Sequence, residues 1–359
     1  MKIIMPRSRL RDLGITIGTY PTGKFNAITD VQDVLVGHHT IRYDEPFIAC
    51  TGVTVINPRG GNIWRDFAFA GFHSLNGCGE MTGAHWINEA GLLTTPIAIT
   101  NTYDVGIAHQ ALVRYGQEKE LMGIFTLPVV AETFDGWLND SRAKITEEDV
   151  WSAIESAASG VVAEGCVGGG TGMTCHEFKG GIGTSSRIVQ TKSGTFTVGA
   201  LVQSNYGSRE LFRVDGVPVG KEIGFDQVPS SRALPSVEGS IIVIIATDAP
   251  LLPDQCKRLA QRATMGIARV GGVAMNGSGD LFLAFSTANH YPNELEKIQG
   301  VNMMPQHHLN ELFVGAIEAV EESILNSITM ATTTRGQKGR VAYELPLEEL
   351  KTVMKKYGR

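Results

Sequence analysis

The run from Ile241 to Ile245 is apolar at every position. Such a run is typical of a strand that is covered on both faces, not of a surface strand that alternates between core and solvent. Other short runs with strand-like composition occur at 52–56, 195–202 and 281–285. Glycine clusters separate these runs from the neighbouring segments.

Helical periodicity predicts four helices, at Asp104–Tyr115, Thr146–Gly160, Pro253–Val270 and Leu309–Ser327. The third begins with a proline, which suits the first turn of a helix. Because strands and helices mix without regular βαβ alternation, we expect an α/β (α+β) chain in which sheets pack together with helices outside them. Residues 214–237 lack a clear period and are predicted to form an exposed loop.

Composition narrows the function classes. The chain has 359 residues, of which 43% are hydrophobic and 19% charged, as in ordinary globular proteins. A net charge of −6 does not favour nucleic-acid binding, for which a basic surface is expected. The start of the chain lacks the features of a secretory signal, and no apolar run approaches the ~18 residues of a membrane span. We therefore expect a cytoplasmic protein.

Neither a metal nor a nucleotide cofactor is predicted. The cysteines are odd in number, scattered and never in a CxxC pair, so free buried thiols are the preferred interpretation; they are Cys50, Cys78, Cys166, Cys175 and Cys256. No HExxH or His/Cys spacing of a zinc site occurs. The glycine-rich stretch at 168–172 lacks the Lys-Ser/Thr ending of a phosphate-binding loop.

The candidate chemistry centres on Gly239 and Ser240, which directly precede the apolar run. Glycine lets another group approach its carbonyl closely. If the Ser240 hydroxyl attacked that carbonyl, the chain would split and Ser240 would gain a free α-amine, with a reference pKa of ~7.7 to 8.0. Nucleophile and general base would then share one residue. The alternative is a Gly-Ser turn that begins a strand.

Four further residues carry suitable groups. Asn205 ends a strand-like run and could donate its amide to an oxyanion, or it could be an ordinary turn residue. If the segment is extended, Ser278 and Asp280 face the same side, where the carboxylate could orient an amine or hydroxyl; the alternative is a hairpin turn. Glu132 follows a buried run and could bind a cationic amine, or it could be a solvated strand end.

Several longer blocks together resemble the L-aminopeptidase/D-Ala-esterase/amidase family, which includes the β-peptidyl aminopeptidases. The similarity runs from about residue 10 to residue 340, and its blocks lie at 14–31, 76–83, 96–102, 170–173 and 178–187.

The resemblance implies a single catalytic domain with the αββα sandwich of N-terminal-nucleophile-type hydrolases and ornithine acetyltransferases. It implies a precursor that cuts itself between Gly239 and Ser240 into chains of residues 1–239 and 240–359. The processed protomers would form a homotetramer. The substrates would be short peptides, amino-acid amides or esters, including D-alanyl or β-aminoacyl compounds, and no cofactor would be needed.

Roles implied by the resemblance fall on the same residues. Ser240 corresponds to the nucleophile, Asn205 to the oxyanion donor, and Ser278 and Asp280 to the pair near the new α-amine. Glu132 corresponds to the carboxylate that binds the substrate's free amine.

One position in the substrate-binding block departs from the pattern. Some members carry a tyrosine as a further oxyanion donor, whereas Phe134 has no hydroxyl. Either the Asn205 amide and a backbone N–H suffice, or substrate preference has shifted. Two alternatives remain at this stage: an acyltransferase like the ornithine acetyltransferases, against which a serine nucleophile argues, and a non-catalytic glycine-loop binding protein.

Overall fold

The computed structural model describes residues 7–60, 63–123, 125–230, 239–292 and 297–359. In these residues the strands are β1 Leu35–Tyr43, β2 Ala49–Asn57, β3 Asp66–Gly77, β4 Leu92–Leu93, β5 Ile97–Asn101, β6 Val129–Thr133, β7 Thr174–Cys175, β8 Phe178–Lys179, β9 Ile182–Thr191, β10 Gly194–Asn205, β11 Ser240–Thr247, β12 Gly279–Pro292, β13 Thr334–Arg335 and β14 Val341–Ala342. The α-helices are α1 Ala84–Ala90, α2 Val105–Glu118, α3 Glu147–Glu155, α4 Val219–Glu222, α5 Pro253–Ala260, α6 Ala263–Val270, α7 Leu309–Thr329 and α8 Leu347–Lys356.

Two main sheets are formed. One has the strand order β1-β2-β5-β6, and the other has the order β4-β3-β12-β11-β10-β9. Each contains one parallel pair, β5 with β6 and β11 with β12, and the other neighbours are antiparallel. The predicted strands at 52–56, 195–202, 241–245 and 281–285 all lie in these sheets.

The two faces of β11 show how the layers stack. Ile242 and Ile244 belong to a core shared with residues of β2 and β5, so this core lies between the sheets. Ile241 and Val243 belong to a second core shared with α5, α6 and α7. Helices α2 and α3 pack against the four-stranded sheet. The layers therefore run helix, sheet, sheet, helix, and every residue of β11 is buried, as its apolar run predicts.

Two helix predictions need correction, one in the middle and one at its C-terminal end. The helix predicted at 253–270 is two helices, because Arg262 N donates to Leu259 O at 3.0 Å in a tighter turn that lets α5 pack on β3 and α6 on α7. The helix predicted from Thr146 begins as expected, with the Thr146 side chain capping Asp149 N, but it ends at Glu155. It ends there because Ala158 pairs with Val36 of β1.

The prediction of an exposed loop at 214–237 is wrong for residues 214–230. Four valines and Ile223 are buried there, and α4 lies within the segment. The apolar side chains pack into the core beside α6 and α7, which the irregular spacing of the valines concealed. Residues 231–237 lie outside the described residues, as does Glu238.

No helix in the described ranges is long and apolar enough to cross a membrane.

Candidate active site

Ser240 is the first residue of β11, and the sheet register decides its neighbours. Asn205 lies opposite it on antiparallel β10, and Gly279 lies opposite it on parallel β12. The Ser240 side chain is nearly buried, at 7% exposed. Its Oγ accepts a hydrogen bond from Gly279 N at 3.2 Å, and the same N–H lies 3.2 Å from the carbonyl oxygen of Gly239. A single backbone donor therefore reaches both the hydroxyl and the carbonyl that precedes it.

Two glycines make this approach sterically allowed. A Cβ on Gly239 would lie 2.6 Å from the Cα of Tyr206 and 2.7 Å from the Asn205 carbonyl oxygen. A Cβ on Gly279 would lie 2.3 Å from the carbonyl oxygen of Cys78. These distances are shorter than side chains adopt, so the backbones of β10, β12 and the 78–79 segment close on the Gly239 peptide only because both residues are glycine.

The Asn205 amide has a fixed orientation. Its Oδ1 accepts a hydrogen bond from Thr174 N at 2.9 Å, and its Nδ2 donates to the Phe134 carbonyl oxygen at 2.9 Å. Because the amide nitrogen carries two hydrogens, one remains for another acceptor. The side chain is 4% exposed and lines the same cavity as Ser240. The arrangement can therefore place an N–H donor against an oxygen bound at the serine.

Ser278 and Asp280 lie on either side of Gly279. Ser278 Oγ donates to Asp280 Oδ1 at 2.6 Å, so the predicted facing of the two side chains is confirmed. Burial raises the pKa of Asp280, and hydrogen bonds from Ser278 and from the backbone of Ile241 oppose that rise. The pair is joined to Ser240 through the backbone of Gly279, and both side chains are buried.

Glu132 lies near the end of β6 and is buried, contrary to the solvated strand end that the sequence left open. Its Oε1 accepts a hydrogen bond from Glu80 N at 2.9 Å, and its Oε2 accepts one from the Thr102 hydroxyl. Thr102 directly follows β5, which runs parallel to β6, so both chain ends meet at one edge of the sheet. Burial raises the pKa of Glu132, and these two donors counteract the rise.

A cavity of about 570 Å³ joins these groups. Of the sequence-predicted residues, Ser240, Gly239, Asn205, Glu132 and Phe134 line it. Ser278 and Asp280 instead line a much smaller space on the other side of Gly239, with Tyr206. The site residues are thus brought together around the Gly239–Ser240 peptide, but from two sides.

Sequence reasoning missed several residues that line the cavity, namely Cys78, Gly79, Glu80, Thr102, Trp137 and Gly277. Cys78 is exposed, so the expectation of a buried thiol is wrong there. The signal for Thr102 was present, since it is a hydroxyl at the end of a buried strand. Its partner Glu132 lies thirty residues further on, however, and only the pairing of β5 with β6 brings them together.

Phe134 is half-exposed at 45% and packs edge-on against Tyr103, with ring centroids 5.7 Å apart. Its ring offers an apolar wall, and its carbonyl oxygen holds the Asn205 amide. The following residue, Asp135, is buried, and burial raises its pKa to about 7. Trp137 is covered by the Arg340 guanidinium at 3.8 Å from its ring centroid. Because Trp137 belongs to the loop that follows β6, this contact holds the loop against Arg340.

Among the described residues, no group of three or more His, Cys, Asp or Glu side chains is arranged to hold a metal ion. The side chains that line the cavity offer two hydroxyls, a thiol, an amide and two carboxylates, of which Glu132 is buried.

Comparison with known proteins gives consistent results. The sequence profile of "Peptidase family S58" matches residues 26–342. The chain is 43% identical to the beta-peptidyl aminopeptidase BapA of Sphingosinicella microcystinivorans, over 98% of this chain and 93% of that protein. It is 40% identical to the BapA of Sphingosinicella xenopeptidilytica, over 97% and 91% of the two chains.

Solved structures agree with the fold. A Burkholderia sp. beta-aminopeptidase superposes with a TM-score of 0.92 at 48% identity, covering 98% of this chain and 99% of that chain. The L-aminopeptidase D-Ala-esterase/amidase of Ochrobactrum anthropi, described as a variant of the Ntn hydrolase fold, superposes with a TM-score of 0.91 at 42% identity, covering 99% of each chain. The predicted N-terminal-nucleophile-type αββα fold is confirmed.

Proposed function

The chain belongs to peptidase family S58 and is a peptide-bond hydrolase, and from this premise we propose that it is a self-cleaving serine aminopeptidase. Ser240 is the nucleophile, and the α-amine that self-cleavage releases at Ser240 is its general base. The substrates are short peptides, amino-acid amides or esters with a free amine, from which the enzyme removes the N-terminal residue.

The observation that carries this proposal is the content of one cavity. A buried carboxylate, Glu132, a hydroxyl, Ser240, and an oriented amide, Asn205, line the same space. An aminopeptidase must bind an ammonium group and place the adjacent carbonyl against a nucleophile and an oxyanion donor. These three side chains supply one group for each task.

Self-cleavage uses the Gly239 carbonyl as the first electrophile. As the Ser240 Oγ attacks the carbonyl carbon, the Gly279 N–H that already lies 3.2 Å from the carbonyl oxygen stabilises the negative charge. The C–N bond then breaks, the serine nitrogen takes the hydroxyl proton, and an ester replaces the amide. Water hydrolyses the ester, which yields a carboxylate at Gly239 and a free amine and hydroxyl at Ser240. The products are residues 1–239 and 240–359.

Turnover repeats the same attack on a substrate. The α-amine takes the Ser240 proton as the acyl-enzyme forms and returns it to the leaving amine. Asn205 Nδ2 donates to the oxyanion, and Ser278 with Asp280 orients the α-amine. Because Phe134 has no hydroxyl, the second oxyanion donor is a backbone N–H, for which Gly279 is the candidate. Glu132 selects substrates with a cationic amine, since its buried charge is unpaired without one.

The names of the relatives indicate the substrate class. Two are called beta-peptidyl aminopeptidases, and a structural neighbour is called an L-aminopeptidase D-Ala-esterase/amidase. We propose β-aminoacyl peptides and amides as the first substrates to test, with D-alanyl and L-α-aminoacyl amides as comparisons. A cytoplasmic location and a homotetramer of processed protomers stay predictions.

The test compares Ser240→Ala with Ser193→Ala, a matched change at an exposed turn. Intact mass and hydrolysis of β-alanyl p-nitroanilide are measured for both. Ser193→Ala should give two fragments and activity like the wild type, whereas Ser240→Ala should stay whole and inactive. Two fragments from Ser240→Ala would overturn the assignment of the nucleophile. Transfer of acetyl from N-acetylornithine to glutamate by the wild type would favour the acyltransferase alternative, which family membership does not support.

A further inference from the structure

The described residues that line the cavity beside Ser240 carry an unbalanced charge. Among them, Glu80 and Glu132 are acidic and none is basic. One carboxylate is enough to bind the single ammonium of a simple substrate. The second therefore needs a separate explanation.

Glu80 is held in place by its backbone. Its N–H donates to Glu132 Oε1 at 2.9 Å, Met81 forms a bridge with Ala131 of β6, and Thr82 N donates to the Val130 carbonyl oxygen at 2.9 Å. The segment is thus fixed beside the strand that carries Glu132. The Glu80 position relative to the amine-binding carboxylate is built into the fold.

The Glu80 side chain, in contrast, is exposed and makes no hydrogen bond or ion pair with any residue in the described ranges. Its negative charge is close enough to Glu132 to add to the rise in the pKa of that carboxyl. When a substrate with one ammonium binds at Glu132, the Glu80 charge stays unneutralised at the cavity wall. A second cation on the substrate would neutralise it.

The remaining walls suit the stem of a basic side chain. Phe134 and Trp137 line the cavity with aromatic surface. Lysine-like and arginine-like side chains pack their methylenes on such surface while the charged head reaches a polar partner. An alkyl stem that ends in an ammonium or guanidinium matches both features.

We propose that Glu80 is a specificity-determining residue that favours substrates whose N-terminal residue carries a second cationic group, as in lysyl, ornithyl and arginyl compounds and their β-homologues. The inference rests on the proposed function, because it takes Glu132 as the site of the terminal amine.

The experiment measures kcat/KM for matched pairs of p-nitroanilides, β-homolysyl against β-homonorleucyl and lysyl against norleucyl. The members of each pair have the same number of side-chain carbons, and the lysine-type member carries an added terminal ammonium. Wild type is compared with Glu80→Gln and with Glu89→Gln, an exposed glutamate on α1 that does not line the cavity. The preference for the cationic member should fall about fivefold in Glu80→Gln, in line with a partly exposed ion pair. It should be unaltered in Glu89→Gln.

Ionic strength provides a second readout. Raising salt from about 0.1 M to about 1 M shortens the Debye length from ~10 Å to ~3 Å, so the wild-type preference should shrink while that of Glu80→Gln stays nearly constant. Equal preference ratios in wild type and Glu80→Gln, with the norleucyl-type substrates still cleaved, would overturn the role of Glu80 alone. Absence of cleavage for every anilide, or cleavage that persists in Ser240→Ala, would instead overturn the proposed function.

Discussion

Replacing Thr102 with valine tests whether Glu132 binds the substrate amine as a carboxylate. Valine keeps the shape of threonine but removes the hydroxyl that donates to Glu132 Oε2. The Glu80 N–H would then be the remaining donor, on Oε1. Since burial already raises the pKa of Glu132, the loss of a donor that opposes burial should raise it further.

The magnitude follows from the strength of the bond. A hydrogen bond to a charged group contributes ~1.5–3 kcal/mol, and one pKa unit corresponds to ~1.36 kcal/mol. Thr102→Val should therefore destabilise the ionised form of Glu132 by about 1.5–3 kcal/mol relative to the protonated form and raise its pKa. An ammonium binds only the ionised carboxylate, so amine binding should be lost at a correspondingly higher pH as the solution is acidified.

The assay is the competitive inhibition constant of butylamine between pH 4 and pH 9, with butanol as a neutral probe of similar size. The pH at which butylamine inhibition weakens should move upward in Thr102→Val and return to the wild-type position in Thr102→Ser. Butanol inhibition should show no such displacement. If the wild-type and Thr102→Val midpoints coincide, Thr102 does not sustain the charge of Glu132. If butylamine inhibition does not weaken on acidification in either protein, Glu132 does not bind the amine as a carboxylate.

Other changes test separate parts of the site. Gly239→Ala should slow self-cleavage at least about tenfold, because its Cβ would lie 2.6 Å from Tyr206 Cα and displace the scissile carbonyl. A time course of fragment formation measures the rate of self-cleavage, and an unchanged rate would contradict this prediction. Asn205→Ala should lower kcat by ~10²–10³ with little change in KM, as expected for a lost oxyanion donor, and a loss confined to KM would argue against that role. Burial raises the pKa of Asp135 to about 7 from an ordinary 3.8. Between these two pH values the native state keeps a proton that the unfolded state releases. This group therefore lowers the free energy of unfolding as pH rises from about 3.8 to about 7. In Asp135→Asn, the free energy of unfolding measured with urea should depend less on pH over that range. A pH dependence parallel to that of the wild type would refute the raised pKa of Asp135.

Local patterns were enough to predict the central strands and the serine that begins one of them. The run at 241–245 is apolar on both faces because one face contacts the four-stranded sheet and the other contacts helices. An unbroken apolar run therefore predicts a strand that is buried on both faces. Ser278 and Asp280 were also accessible to sequence reasoning, because their contact depends only on an extended backbone over three residues.

Contacts that depend on the pairing of distant strands were not predictable in this way. Thr102 and Glu80 reach Glu132 only because β6 lies beside β5 and beside the 80–82 segment, and no local spacing encodes that pairing. The helical spacing of apolar residues continues through Gln261 and Arg262, so it did not indicate the turn there. That turn separates α5, which packs on β3, from α6, which packs on α7. The roles of the site residues stay predictions, and the structure supplies the geometry on which their tests depend.

The central claim is that scission of the backbone releases a hydroxyl and an amine together on Ser240. The most direct measurement is the intact mass and N-terminal sequence of each polypeptide in catalytically active wild-type protein. The account predicts two polypeptides, with the smaller one beginning at Ser240 and ending at Arg359. Active protein that consists of one unbroken polypeptide, or a smaller fragment that begins at another residue, would contradict it.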